Sequence, residues 1–247
     1  MLSNYSKVTN WFLRGNARLI FLPLWVLAGF VVAYLVVEVA IWVLGASGVR
    51  FSGMDTNLLQ TVFSLIVYGL AILIVIVLPN SRRWLKTSLK ELGWVGLPTW
   101  LDILLPIAGF FVYLLLSVVL SWLASFLPWY STATQQDVGF SNLAHYGDYL
   151  LAFLCLVVLA PIAEETLFRG FLFGKLRRWS KVWLATLITS LTFAVAHMSW
   201  TVGVDVFALS LVLCTLRAMS GSLWAPVLLH MIKNGLAFYL LFINPGF

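Results

Sequence analysis

Glu164, Glu165 and Arg169 stand in the stretch "APIAEETLFRG", near the end of an apolar run that begins "YLLAFLCLVVL". Three charges in such a place need a reason. Each costs roughly 2.5–3.5 kcal/mol at the centre of a membrane helix. Glu165 and Arg169 are four residues apart, so on a helix they share a face and can pair. Glu164 lies about 140° round the helix from Arg169 and is left to face something else. Two further pairs at the same spacing sit in later apolar runs: Phe193 with His197 in "FAVAH", and His230 with Asn234 in "HMIKN". Two of the chain's three histidines thus fall inside hydrophobic segments.

This set suits the hydrolysis of a peptide bond. A carboxylate or imidazole of tuned pKa can deprotonate a water as it attacks a carbonyl. The oxyanion that forms needs preorganised donors, such as a histidine or an asparagine amide. Glu164 is the expected base and His197 the group that positions the water. His230 and Asn234 are the expected oxyanion donors, with Glu165 and Arg169 holding the constellation in place. Phe193 is expected to pack. Glu164, His197 and His230 could also supply three ligands to a divalent ion such as zinc, leaving one position open. HExxH is absent, and direct activation of water by the glutamate is the preferred expectation.

The elements that must position these residues are membrane helices. The chain has 247 residues, of which 62% are hydrophobic and 10% charged, against about 45–50% and about 25% in soluble domains. Its mean hydropathy is +1.00. The expected fold is all-α: a polytopic membrane bundle of about seven spans, at 19–46, 58–79, 101–127, 149–175, 182–200, 203–220 and 223–243. Residues 1–247 read as one membrane domain, with the catalytic motifs inside 149–243. The N-terminal stretch has no signal-peptide pattern and is expected to lead into a retained first span.

The net charge of +6 is spread over short clusters: Lys7, Arg14 and Arg18; Arg82, Arg83, Lys86 and Lys90; Lys175, Arg177, Arg178 and Lys181. These read as topology signals that place the N-terminus in the cytoplasm, and they exclude nucleic acid as an expected partner. "RRWLKTSLKELGW" suits a short amphipathic helix on the cytoplasmic leaflet. Cys155 and Cys214 lie in apolar runs and give no disulfide framework. Asp102 and Asp205 fit helix N-termini, Arg217 is expected to snorkel, and Trp42, Trp84, Trp100 and Trp122 to form an interfacial belt. Glu38 is expected near an interface and His145 in a solvated outer loop. Counted along the spans, Glu164 and His230 lie about 17 and 10 Å from the cytoplasmic ends, but His197 about 23 Å. A shared site therefore requires tilted helices or a different boundary near "SWTVG".

Glu164-Glu165-x-x-x-Arg169, Phe193-x-x-x-His197 and His230-x-x-x-Asn234, in this order, resemble the motifs of the CPBP family. That family comprises type II CAAX prenyl endopeptidases and bacteriocin-processing or immunity (Abi) proteins. The resemblance covers about 160–234 and implies an intramembrane endopeptidase with a polar cavity among its helices. It also implies the roles given above for Glu164, His197, His230 and Asn234. Family members are often labelled metalloproteases, and a glutamate-activated water without metal is also proposed for them.

Two other functions fit buried glutamate and histidine. A proton-coupled transporter would be expected to show inverted repeats or paired broken helices, which are not visible. A silent scaffold or immunity partner would keep its activity without Glu164. The expected partners are a membrane-associated peptide or protein substrate and the bilayer itself. Small size and short loops favour a bacterial cell membrane and peptide processing. The sequence leaves oligomeric state open.

Overall fold

The computed structural model describes residues 17–245 apart from 52, 129, 132–137 and 142. Lys7 and Arg14 lie outside the described residues. The described chain is helical and carries no strand. In order, the helices are α1 (Ala17–Ala46), α2 (Thr56–Ser81), the one-turn α3 (Leu89–Leu92), α4 (Trp100–Ala124), α5 (Tyr146–Leu176), α6 (Val182–Ala196), α7 (Trp200–Ser220) and α8 (Trp224–Ile243). Six of these, all but α3 and α6, are long and apolar enough to cross a membrane.

The expected seven spans thus become six long helices and one short one. The 15 residues of α6 cover about 22 Å, less than the roughly 30 Å of a hydrocarbon core. The expected boundary at 200 is also wrong. α6 stops at Ala196, His197 is its C-cap, and Met198 reverses the chain at φ 52°. His197 therefore projects from a helix end where a turn meets α7, which brings it within reach of the other site residues.

α5 is the axis of the bundle. Its residues from Glu165 to Leu176 are all buried. On one side, Leu167, Phe168, Phe171 and Leu172 pack with Leu22 and Val26 of α1, Val75 of α2 and Phe193 of α6. A second cluster joins α4, α7 and α8 through Tyr113, Leu209, Leu213 and Leu229. Lipid tails are as apolar as leucine, so such helices associate through close packing and interhelical polar bonds. The outward faces of α1 and α4 remain apolar and exposed, among them Val31, Leu35, Phe111 and Leu115. These features make the chain an integral membrane protein.

Prolines shape two of the spans. Pro79 cannot bond the carbonyl four residues before it, that of Val75, and α2 widens into a π-helical turn at Leu73–Val77. The Trp25 indole of α1 donates to the Val75 carbonyl at 3.2 Å. α5 behaves alike: Leu154–Leu159 is π-helical, and the N–H of Ala160 bonds Cys155, five residues back. At Pro161 that ladder has no donor for Leu156, whose carbonyl is thereby freed for a side chain from another helix.

The segment before α4 forms a much shorter helix than its sequence suggests. Only Leu89–Leu92 is helical, opened by a capping box between Ser88 and Glu91 and closed by Gly93 at φ 99°. The segment clasps the basic end of the bundle. Glu91 pairs with Arg178 at 3.1 Å and Lys175 at 3.6 Å, Lys175 donates to the carbonyl of Lys86, and Trp94 donates to Thr166 at 3.2 Å. Gly170 permits this approach, since a Cβ there would stand 3.1 Å from the Leu92 carbonyl. Arg217 does not snorkel. It is 1% exposed and donates to the Glu91 carbonyl at 3.3 Å, its guanidinium filling the space that a Cβ on Gly93 would take. Asp102 caps α4 through Thr99, as expected. Trp42, Trp84, Trp100 and Trp122 are exposed, Glu38 is exposed beside Tyr34, and His145 is exposed at the start of α5.

Candidate active site

The three motif pairs converge. Glu165 and Arg169 form the expected ion pair at 2.9 Å, with both side chains fully buried. The same oxygen, Glu165 Oε1, lies 2.8 Å from His230 Nδ1. A carboxylate paired with arginine only accepts, so Nδ1 carries the proton. Helix α5 is π-helical at Thr166–Leu172, around Arg169. The guanidinium carbon of Arg169 sits 4.4 Å over the ring of Phe193, which favours the charge through the ring's electron-rich face. Phe193 is therefore more than filler. Its ring also meets His197 at 4.8 Å, Phe168 at 4.8 Å and His230 at 5.9 Å, all edge-on.

Glu164, the preceding residue, faces the other way. Its side chain is 15% exposed and borders a cavity of about 640 Å³ among α2, α5, α7 and α8. Tyr68 of α2 donates to Glu164 Oε1 at 2.6 Å, and Glu164 Oε2 lies 3.8 Å from His230 Nε2. His197 lines the same cavity, with Nδ1 2.8 Å from the Phe193 carbonyl. A carbonyl can only accept, so Nδ1 again holds the proton and the neutral ring keeps its lone pair on Nε2. Asn234 completes the group. Its Nδ2 donates at 2.9 Å to the Leu156 carbonyl that Pro161 leaves without a backbone partner. One N–H of the Asn234 amide stays outside that bond, and Asn234 also lines the cavity.

Glu164, His197, His230 and Asn234 therefore share one cavity, and Glu165, Arg169 and Phe193 stand behind them. A second, more apolar cavity of about 310 Å³ reaches Glu164 and His197 from the side of α1, bordered by Phe30, Phe63 and Phe168. Ser64 and Tyr68 line both cavities. Among the described residues, no three His, Cys, Asp or Glu side chains stand in a group that could hold a metal ion. Glu164, His197 and His230 do not fit a zinc site as placed.

Several cavity residues escape sequence reasoning. Tyr68 is a single tyrosine in an apolar run, without a spacing signal. Asp205 does not cap a helix N-terminus, since it sits in the second turn of α7. There it accepts hydrogen bonds from Tyr113 at 2.8 Å and Ser117 at 2.6 Å, and pairs with Lys233 at 3.4 Å. Lys233 adjoins Asn234, so "HMIKN" itself was the available signal.

Comparison with known proteins bears on this part of the chain. Residues 146–236 match the family described as type II CAAX prenyl endopeptidase Rce1-like. An uncharacterized 24.3 kDa protein of Escherichia coli is 41% identical over 90 residues, covering 34% of this chain and 41% of that protein. The membrane-embedded CAAX protease MroQ of Staphylococcus aureus (strain USA300) is 28% identical over 94 residues, covering 36% of this chain and 38% of that protein. The matches thus span about two fifths of each of these relatives. No solved structure matches the chain. All seven motif residues lie within 146–236, the segment that is similar to the Rce1-like family and that overlaps the likeness to a CAAX protease.

Proposed function

We propose that this chain is an intramembrane endopeptidase that hydrolyses a peptide bond by a water activated on Glu164. The observation that carries this is the convergence of Glu164, His197, His230 and Asn234 on one cavity inside a membrane bundle. In this mechanism the water sits between Glu164 Oε2 and His197 Nε2, the ring lone pair accepting one of its hydrogens. Glu164 takes the other proton as the oxygen attacks the substrate carbonyl carbon. The oxyanion is met by the free N–H of Asn234, the Leu156 carbonyl having fixed the amide by its other hydrogen. His230 can add a donor at Nε2 only when doubly protonated, because its Nδ1 proton is committed to Glu165. As the tetrahedral intermediate collapses, Glu164 returns its proton to the leaving nitrogen. Tyr68 orients the carboxylate, and the sealed Glu165–Arg169 pair fixes His230. No step is routed through a metal.

The hydrolytic core would be 149–243. The substrate would be a membrane-associated peptide or protein precursor in a bacterial cell membrane, with the basic end of the bundle, and so the N-terminus, in the cytoplasm. The test compares wild type with Glu164→Gln, purified in detergent and incubated with a library of membrane-anchored peptides read by mass spectrometry. Wild type should cleave and the variant should lose on the order of 10²–10⁴ in rate while remaining folded. Equal cleavage by the two would refute the assignment, and no cleavage by either, both folded, would favour a binding role.

A further inference from the structure

A second polar site lies at the basic end of the bundle. There a cavity of about 410 Å³ opens between the start of α1, the segment after α2 and the end of α5. Four cations line it, Arg18, Lys86, Lys175 and Arg178, against a single carboxylate, Glu91. Glu91 is shared between Lys175 and Arg178. Arg18 and Lys86 have no carboxylate within ion-pair distance among the described residues. Arg18 is further prepared: its guanidinium carbon sits 4.4 Å over the Trp179 ring, and its Nε is buried without a hydrogen-bond partner among the described residues. Trp84 and Trp179 form the flanks, 48% and 40% exposed.

We propose that this cavity binds the phosphate of an anionic phospholipid head group. The charge imbalance selects an anion, and an arginine with an unused N–H beside a lysine suits phosphate oxygens. Its position selects a lipid as the source. Arg18 is the second residue of α1, and the others stand where α2 and α5 end, the level at which head groups lie. Partly exposed tryptophans belong at that level. Basic pockets between membrane helices are known to take anionic head groups. The site shares no lining residue with the cavity around Glu164 and does not depend on the proposed hydrolysis.

The test uses the full chain in detergent, given equal phosphatidylglycerol and phosphatidylcholine, with retained lipid read by native mass spectrometry. Wild type should retain phosphatidylglycerol in preference. Arg18→Gln and Lys86→Gln should each weaken that retention on the order of fivefold, as about 1 kcal/mol per cation implies. The Lys86 side chain is exposed, so its replacement leaves folding out of the comparison. Equal retention of the two lipids, or retention unchanged in both variants, would overturn the proposal. In a lipid-free arm the probe is millimolar inorganic phosphate. Saturable phosphate binding that both variants weaken, without any lipid preference, would assign the site to free phosphate and overturn the lipid source.

Discussion

Glu164 and Glu165 are neighbours on one helix, yet one borders a cavity of about 640 Å³ and the other is sealed in protein. The sealed carboxylate is occupied: Arg169 and His230 both converge on its Oε1. The open one has a single short hydrogen bond, from Tyr68 to Oε1, and keeps Oε2 toward the cavity. A 100° turn of helix is enough to set one of two identical side chains at a cavity and to bury the other. The same division runs through the bundle. Half of the α5 span window is buried, against 17% for α4, and only α7 at 56% is more enclosed, so the helix with the charges is among the most enclosed by others. Enclosure by protein is what makes those charges tolerable in a membrane.

The sealed side should fail by unfolding. Arg169→Ala or Glu165→Gln strands a fully buried charge and should cost about 3–5 kcal/mol, read as a fall in thermal midpoint of the detergent-solubilised protein. If both variants melt like wild type, the two sides do not differ as described. The open side should fail in rate alone. Tyr68→Phe removes the hydrogen bond that orients Glu164 and should slow cleavage about tenfold, in line with a bond to a charged group, at an unchanged melting point. Under the proposed direct activation of water by Glu164, treatment with a chelator should leave wild-type cleavage within about twofold. Loss of activity that zinc restores would require a ligand role for this side instead.

The smallest effect concerns the clasp at Glu91. Burial pushes its carboxyl up, but hydrogen bonds from Arg178 and the Ser88 N–H, with the charges of Lys175 and Arg178, outweigh this and leave it below the usual glutamate range. A carboxyl lowered in the folded state stabilises fully above its unfolded value of about 4.3, and that contribution is lost as pH falls through the folded value. Wild type should therefore melt slightly above Glu91→Gln at neutral pH, by about 2 °C for a chain of this size. The gap should close in acid. A gap independent of pH would dissociate Glu91 from the clasp.

Much of the sealed side could be read in the sequence, because a helix fixes which residues meet at four-residue spacing. Glu165 and Arg169 needed only that rule. Bringing His197 and His230 to the same place needed composition and motif order, since spacing says nothing about contacts between helices. The end of α6 at His197 was misplaced because "HMSW" continues the apolar run, and only the backbone reversal at Met198 marks the stop. Tyr68 and Asp205 were missed for a related reason. Their partners lie 96 and 92 residues away in the chain for the hydrogen bonds to Glu164 and Tyr113. The contacts of the clasp were not foreseen because its lysines and tryptophans fit a lipid surface as well as a protein groove, and Glu91 alone hinted at ion pairs across to α5.

The most direct test places Glu164→Gln and Glu165→Gln side by side, measuring cleavage of one membrane-anchored peptide per folded molecule together with the melting point. The account predicts that Glu164→Gln melts like wild type and is at least about a hundredfold slower, while Glu165→Gln melts early but its folded fraction still cleaves. Cleavage retained by Glu164→Gln and abolished in folded Glu165→Gln would contradict it.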